Sequence, residues 1–304
     1  MTFSLSALDD LVLVEGTFDR LGELTGAPAK RWYGDPESFA ETAERAAGAN
    51  GLLVSWRTKV PAEIFNRSPQ LKYVGLAASP FTDPTECNVD LAAATEHGVV
   101  VSALGQYGDE ATAEWVILRM LTAARGLQPW RETCIELKGK QLGIVGMGNM
   151  GREVAERAAA LGMIVVYTGP RRKPEAEQAG FNYLPLKELL ATSDIVTFHT
   201  PKGTAVMDEE AFSGLRTDAL LLNTSIGPTL DPSALEHWLT GEHAAFACDI
   251  CVAGEQQQIA NRSTRAICDQ FVAGDSKEMR QRKSDQLVEN LTAFLEGNPI
   301  RRVA

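Results

Sequence analysis

The chain has 304 residues, 44% of them hydrophobic and 23% charged, which is typical of a globular protein of about two domains. A formal net charge of -11 argues against nucleic acid as a partner, because phosphate binding needs a basic surface. No apolar run approaches the roughly 20 residues that span a bilayer, so no membrane contact is expected. The amino terminus lacks a basic region and carries Asp9 and Asp10, which argues against a signal peptide. Five cysteines without disulfide-like spacing fit a reducing compartment, and we expect a cytoplasmic protein.

Short apolar runs alternate with helical patterns along the chain. The predicted strands are LVLVEG (11–16), GLLVSW (51–56), LKYVGLAA (71–78), VVVSAL (99–104), QLGIVG (141–146), MIVVYTG (163–169), DIVTFHT (194–200), ALLLNTS (219–225) and AAFACDI (244–250). A period of about 3.6 residues predicts helices at 39–49, from Asp109, at 152–162 and at 277–296. Strands that are apolar throughout are typical of parallel sheets covered on both faces. We therefore predict an α/β fold with two doubly wound parallel-sheet domains.

The strongest motif is the GxGxxG segment Gly146-Met147-Gly148-Asn149-Met150-Gly151, which lies between a predicted strand and a predicted helix. With the next strand it completes a βαβ unit, the context in which this motif binds a dinucleotide. Gly146 permits a tight turn, Gly148 lets the backbone approach a pyrophosphate, and Gly151 allows the helix to pack closely. The helix amino terminus offers N–H groups to the phosphates. The alternative interpretation is a glycine-rich turn without a ligand.

The second strand of this unit ends in Tyr167-Thr168-Gly169-Pro170-Arg171-Arg172-Lys173. An NAD-binding unit usually places an Asp or Glu here to hold the ribose 2′-hydroxyl. A carboxylate would repel a 2′-phosphate, whereas a guanidinium pairs with it bidentately. We therefore predict NADP(H), with NAD(H) the less favoured cofactor, and contacts from Thr168, Arg171 and Arg172. A solvated basic loop is the alternative.

Further stretches follow in the order LKYVGLAASPFTD, NVDLAAATEHGVVVSAL, ATAEWVILRMLTAAR, GKQLGIVGMGNMGREVA, SDIVTFHTP, ALLLNTSIGPTLDPSALEHWL, AFACDI, VAGDSKE and ENLTAFLEGNP. In this order they resemble the D-isomer-specific 2-hydroxyacid dehydrogenases, a family that includes glyoxylate and hydroxypyruvate reductases. The resemblance implies a flavodoxin-like substrate domain (1–104 with 285–304) into which a Rossmann NAD(P)-binding domain (105–284) is inserted, with the active site in the cleft. It also implies a homodimer. The segment between Arg125 and Gly139 is short beside the family's dimer arm, which weakens that last expectation.

The resemblance also implies residue roles at matching positions. Further cofactor contacts are expected at His199, Thr200, Pro201, Thr224, Ser225 and Asp249. The expected substrate-cleft residues are Trp56, Ala78, Ser79, Ile226 and Phe271.

The family's catalytic positions do not match in this sequence. The family uses an Arg to grip the substrate carboxylate, a His as proton donor, and a Glu to orient that His. Here those positions hold Ile226, Phe271 and Gly254, and no histidine follows His243. A positioned general acid contributes roughly 10²–10⁴-fold to the rate. We therefore expect efficient reduction of an ordinary 2-keto acid to be lost and the cofactor site to be kept.

Three functions follow from this mixture. The first is an NADPH-dependent oxidoreductase that reduces a C=N or C=O group of a small molecule that is cationic or lacks a carboxylate. An iminium substrate already carries the proton and needs no carboxylate-gripping Arg. The second is a non-catalytic NADP-binding sensor or scaffold. The third is a 2-keto acid reductase with substitute residues, for which the candidates are Arg57, Lys59, Tyr107 and Glu255.

Cys248-Asp249-Ile250-Cys251 is a CxxC motif followed by Cys268, which invites a metal or redox interpretation. Residues three apart on a strand point to opposite faces, so the two CxxC thiols would diverge. We therefore predict core cysteines and no metal site.

Overall fold

The computed structural model describes residues 2–80, 84–127, 134–201, 204–227, 229–252 and 254–304. The chain divides into two compact units, Met1–Tyr107 with Ser276–Ala304, and Gly108–Asp275. Each unit is built on one sheet whose paired strands all run parallel, so the predicted α/β fold with two parallel sheets is confirmed. The segment that we expected to be a shortened dimer arm lies partly outside the described residues, at 128–133.

The first unit contains a five-stranded sheet with helices packed on it. Its strands are β1 (Leu5–Ala7), β2 (Lys30–Arg31), β3 (Gly51–Val54), β4 (Tyr73–Leu76) and β5 (Val100–Ser102). Its first four α-helices are α1 (Thr17–Thr25), α2 (Phe39–Ala46), α3 (Ala62–Arg67) and α4 (Leu91–Glu96), with a 3₁₀ turn at Pro84–Glu86. The strand order is β2-β1-β3-β4-β5, the flavodoxin-like doubly wound order.

The second unit contains a seven-stranded sheet. Its helices are α5 (Asp109–Ala124), α6 (Asn149–Ala160), α7 (Pro174–Gln178), α8 (Leu186–Thr192), α9 (Glu209–Ser213), α10 (Pro232–Trp238) and α11 (Glu255–Arg262). Its strands are β6 (Gln141–Val145), β7 (Ile164–Thr168), β8 (Asn182–Tyr183), β9 (Ile195–Phe198), β10 (Leu220–Asn223), β11 (Ala245–Cys248) and β12 (Ala266–Cys268). The order β12-β11-β10-β9-β6-β7-β8 reverses between β9 and β6. Ligands of doubly wound sheets bind at such a switch point, outside the carboxyl ends of the strands.

The last helix, α12 (Lys277–Leu295), belongs to the first unit. Leu287 and Leu291 are buried in its core, and the Asn290 Nδ2 donates to the Ala103 carbonyl over 2.9 Å. Because this helix is continuous, the division falls at 275/276 rather than at the expected 284/285. The other division falls at 107/108 rather than at 104/105. Among the described residues, no helix has the length and apolar character that crossing a membrane requires.

The predicted strand at 11–16 is wrong, and β1 lies before it. Val12 has a φ of 50°, and the Asp10 side chain accepts a hydrogen bond of 3.2 Å from the Val12 N–H, so the chain turns here. Leu11 is buried, which shows that the apolar character of this run serves packing rather than strand pairing. β1 has only three residues, too few for a periodic signal.

Candidate cofactor and active site

The GxGxxG segment joins β6 to α6 at the switch point. Gly146 has a φ of 103°, and a Cβ there would lie 2.3 Å from the carbonyl oxygen of His199. A Cβ at Gly151 would lie 2.3 Å from the Gly146 carbonyl oxygen. Both distances are far inside van der Waals contact. The fold itself therefore requires glycine at these two positions.

Gly148 differs, because among the described residues no atom beyond its chain neighbours and its own helix lies within 4 Å of the position that its Cβ would take. Its φ of -86° is open to any residue, so the protein alone gives no reason for glycine here. Gly148 is the N-cap of α6, and no side chain caps this end. An uncapped helix amino terminus beside open space is suited to a phosphate. The residues present thus fit the pyrophosphate of a dinucleotide.

The two arginines after β7 have different surroundings. The Arg172 Nε lies 2.7 Å from a carboxylate oxygen of Glu177, and its guanidinium lies 5.4 Å from the centre of the Tyr183 ring. The hydrogen bond to Glu177 raises the pKa of Arg172. Arg171 is exposed and has no such partner within the described part of the chain. Of the two, Arg171 is the one whose guanidinium is available to an added phosphate.

His199 directly follows β9, and its backbone N–H donates to the Val145 carbonyl over 2.8 Å. Its Nε2 lies 2.9 Å from the Thr197 hydroxyl, while its buried Nδ1 has no partner among the described residues. Burial lowers the pKa of His199 to about 3, so the imidazole is neutral near pH 7. His199 can therefore offer a hydrogen bond but cannot serve as a cationic acid there.

Ser225 ties the end of β10 to the chain after β9. Its hydroxyl accepts from the Thr200 N–H over 3.1 Å and donates to the Phe198 carbonyl over 3.1 Å. Its own N–H donates to the Asn223 side chain over 2.9 Å. The remaining predicted contacts in this region are half-buried Met150 and Thr224 and exposed Asn149 and Pro201.

Asp249 follows β11 and is fully buried. Its carboxylate accepts from the Ala273 N–H over 2.7 Å and from the Cys251 N–H over 3.1 Å. Burial raises the pKa of Asp249 to about 6, against the opposing effect of these hydrogen bonds. We expected a cofactor contact here. That contact stays a prediction, and the two hydrogen bonds also give Asp249 a positioning role, in which it fixes the segment after β12 against β11.

The three expected catalytic positions lie just after β10, β11 and β12. Ile226 is half-buried, and Phe271 is 54% exposed. Gly254 has φ 81° and ψ -144°, a conformation close to one that only glycine adopts readily. A glutamate could not take this position without strain. This edge of the sheet therefore lacks the charged and titratable groups that the family uses.

Glu255, the adjacent candidate substitute, is exposed and is the first residue of α11. The next residue, Gln256, is buried, and its amide donates to the Leu230 carbonyl over 2.7 Å. This bond fixes the register of α11. Glu255 therefore does not slide by one residue into the place of Gly254.

The candidate substitutes in the first unit are held in different ways. Arg57 makes a bidentate ion pair with Asp35 at 2.8 and 3.0 Å and also donates to the Asp10 carbonyl over 2.8 Å. Lys59 is exposed, and half-buried Tyr107 accepts at its carbonyl from the Arg282 Nε over 3.0 Å. Because the Arg57 guanidinium is already paired, it is poorly suited to gripping a substrate carboxylate.

The expected substrate-cleft residues of the first unit lie at the ends of its strands. Trp56 packs against the core, and the buried Ala78 accepts from the Leu104 N–H over 2.8 Å. Ser79 is exposed, with its hydroxyl 3.5 Å from the Gly105 carbonyl oxygen.

A half-buried ion pair near this edge of the sheet, the catalytic edge at the carboxyl ends of β10, β11 and β12, was not predicted. Asp269 directly follows β12 and accepts from the Trp115 indole N–H over 2.6 Å, and Arg119 pairs with the same carboxylate oxygen. Trp115 and Arg119 are one turn apart on α5, but their partner is remote in sequence, so no local pattern could reveal the cluster. Among the described residues, no group of three or more His, Cys, Asp or Glu side chains could hold a metal ion.

Comparison with known proteins identifies the family. The model for the "D-isomer specific 2-hydroxyacid dehydrogenase, NAD binding domain" matches residues 118–266. The glyoxylate reductase of Aeropyrum pernix is 30% identical over 294 residues, which cover 86% of this chain and 84% of that protein. The chain belongs to the D-isomer-specific 2-hydroxyacid dehydrogenase family. It is accordingly an NAD(P)-dependent oxidoreductase by family.

Solved structures agree with this assignment. The TT0316 protein from Thermus thermophilus is 28% identical, with a TM-score of 0.83 and full coverage of both chains. A structure described as an acyclic imino acid reductase (Bsp5) in complex with NADPH and D-Arg has a TM-score of 0.84. The match covers 99% of this chain and 100% of the reductase chain. The two sequences are 22% identical, so the match shows a shared fold.

Proposed function

We propose that this family member is an NADPH-dependent oxidoreductase that reduces a C=N or C=O group of a small molecule other than a simple 2-keto acid. One observation carries the proposal. The chain retains Gly146, Gly148 and Gly151, the glycines of the GxGxxG segment that we call the dinucleotide cradle. In contrast, the positions of the family's Arg, Glu and His hold Ile226, Gly254 and Phe271.

NADPH is favoured over NADH by the residues after β7. When bound, the nicotinamide supplies the hydride, and this chain holds the dinucleotide at two points. The uncapped amino terminus of α6 at Gly148 would hold the pyrophosphate, and the exposed Arg171 would pair with the 2′-phosphate. Arg172 supports the loop through Glu177.

The missing catalytic groups favour an iminium as substrate. Hydride addition to a ketone leaves an alkoxide that needs a proton, whereas addition to an iminium gives a neutral amine directly. An iminium therefore needs less help from a general acid. A cationic substrate also suits a chain with a net charge of -11. The solved acyclic imino acid reductase, bound to NADPH and D-Arg, has the same fold, so the fold is compatible with C=N reduction.

Steady-state oxidation of NADPH with a panel of substrates tests the proposal. We expect kcat/KM for imines and carboxylate-free aldehydes to exceed the values for glyoxylate and hydroxypyruvate. Turnover confined to 2-keto acids would contradict the proposal and favour the substitute-residue alternative. Tight NADPH binding without oxidation by any compound would favour a sensor or scaffold.

A double variant separates these outcomes further. Ile226→Arg with Phe271→His restores two of the three family groups, and we expect at least a 10-fold gain with glyoxylate. The matched control is Ile250→Arg with Val272→His, which adds the same groups at neighbouring exposed positions. Equal gains in both variants would show that added charge alone is responsible.

A further inference from the structure

Two cysteines end neighbouring strands at the edge of the seven-stranded sheet. Cys248 is the last residue of β11 and Cys268 the last of β12, and the two are register partners in the parallel pairing. Adjacent strands lie about 4.8 Å apart, within the roughly 4.4–6.8 Å that a disulfide spans between Cα atoms. Register partners point to the same face of a sheet. The backbone thus places both side chains on one face, with the Cα atoms at a separation that a disulfide can span.

This pair is not the CxxC pair of the sequence. Cys251 lies beyond the end of β11, where its N–H bonds to the Asp249 carboxylate. Burial, with the nearby Asp249 charge, raises the pKa of the Cys251 thiol to about 12. The Cys251 thiol is therefore a poor nucleophile, and Cys251 contacts Asp249.

The two strand-end thiols differ in exposure. Cys248 is fully buried, whereas Cys268 is half-buried, with its Sγ 3.9 Å from the Asp249 carbonyl oxygen. The neighbouring Cys248 thiol lowers the pKa of Cys268, while the Cys268 thiol and burial raise that of Cys248. A low pKa and access to solvent are the properties of a thiol that reacts with peroxides.

The strand that carries Cys268 lies at the edge of its sheet. β12 is a three-residue edge strand paired only with β11, and all three of its residues are half-buried. An edge strand can shift by a fraction of an ångström without breaking a second ladder. The small movement that a disulfide needs is therefore available.

We propose that Cys268 and Cys248 form a peroxide-reactive dithiol, with Cys268 as the attacking thiol and Cys248 as the resolving one. The Cys268 thiolate attacks hydrogen peroxide, an S–O bond forms, the O–O bond breaks, and hydroxide leaves with a proton as water. The Cys248 sulfur then attacks the sulfenic acid, an S–S bond forms, the S–O bond breaks, and a second water leaves with the Cys248 proton. Two thiols are oxidised by two electrons, and one peroxide is reduced to two waters.

The disulfide would stiffen the edge that carries the changed catalytic positions. Asp249 directly follows Cys248 and holds the Ala273 N–H, while Asp269 directly follows Cys268. A disulfide between Cys248 and Cys268 would lower the conformational entropy of the unfolded chain between these two residues. We expect the oxidised protein to melt at a higher temperature than the reduced protein.

Peptide mapping after peroxide treatment tests this proposal. All proteins carry Cys134→Ser, because this exposed thiol could form bonds between molecules. Treatment with hydrogen peroxide should lower the free thiols from four to two and the mass by about 2 Da. Trypsin cuts after Arg262 and Arg265, so a peptide containing Cys268 should appear linked to the one containing Cys248.

Single variants assign the bond, since Cys248 and Cys251 remain on one tryptic peptide. We expect Cys251→Ser, the matched control, to keep the linked peptide and the rise in Tm. Cys268→Ser, a change at a half-buried site, should lose both. A linked peptide that disappears in Cys251→Ser would overturn the proposal. So would accumulation of Cys268 sulfinic acid without any linked peptide.

Discussion

The GxGxxG cradle and the catalytic edge lie at carboxyl ends of strands in the same sheet, yet they differ in what fixes their residues. In the cradle, Gly146 and Gly151 are required by backbone contacts of 2.3 Å within the protein itself. At the catalytic edge, Ile226 is half-buried and Phe271 is 54% exposed, so packing constrains these side chains less than it constrains the cradle glycines. The positioning residue under that edge, Asp249, is nevertheless kept with its backbone hydrogen bonds. At this edge the family's Arg, Glu and His are replaced, while Asp249 keeps the backbone hydrogen bonds that fix the segment after β12.

The largest expected effect comes from breaking the cradle. Gly146→Ala would push a methyl group against the His199 backbone at 2.3 Å and place alanine at a φ of 103°. We expect a loss of about 4 kcal/mol or more in the free energy of unfolding, measured by urea denaturation. The control is Gly214→Ala, where the nearest atom is 3.6 Å away and the backbone is right-handed helical. Equal stabilities of the two variants would refute the steric argument.

The second-largest expected effect is a change in the free energy of unfolding with pH, caused by Asp249 at the catalytic edge. The folded pKa of Asp249, about 6, lies above its usual 3.8, so folding favours the protonated carboxyl. This contribution to stability is fully present below pH 4 and is lost as pH rises through 6. The total is about 3 kcal/mol, from about 1.4 kcal/mol for each unit of pKa.

Asp249→Asn should remove that dependence, so the difference in unfolding free energy between wild type and variant should change by about 2.4 kcal/mol from pH 4 to pH 7. Urea denaturation at several pH values measures it. Asp231→Asn is the control, because Asp231 caps α10 at an exposed site and asparagine caps equally well. An unchanged pH profile in Asp249→Asn would mean that folding does not shift the pKa of Asp249.

The sequence predicts the parts of this comparison that are local and misses those that depend on distant partners. The cradle follows from one βαβ unit, and the substituted positions follow from counting residues along family motifs. The pairing of Arg119 with Asp269, 150 residues away, depends on how α5 packs beside β12. The pairing of Arg172 with Glu177 is local, but the sequence does not show which of the two neighbouring arginines makes it. The wrong strand prediction at 11–16 also reflects tertiary packing, because an apolar run can bury its side chains in a turn as well as in a strand.

Gly148→Ala tests whether the open space beside α6 belongs to the dinucleotide. In the described part of the chain, no atom beyond the local backbone lies within 4 Å of the added methyl group, so stability should match that of the wild type. We expect the Kd for NADPH to rise about 100-fold, because the methyl group would occupy the place of the pyrophosphate. Titration of NADPH fluorescence measures the Kd, with Gly214→Ala again as control. Unchanged binding would place the pyrophosphate elsewhere and remove the strongest argument for the cradle.

The smallest expected effect separates the two arginines after β7. Arg171→Ala should weaken NADPH binding about 10-fold and leave NADH binding unchanged, since a charge-assisted pair to the 2′-phosphate is lost. Arg172→Ala is the matched control, because its guanidinium is already paired with Glu177, and its effect should stay below about 3-fold. Kd values for both cofactors, measured by fluorescence, decide between them. Equal losses in the two variants would mean that the loop acts through its summed positive charge. The cofactor preference would then belong to the basic segment as a whole rather than to the one arginine that the fold leaves available.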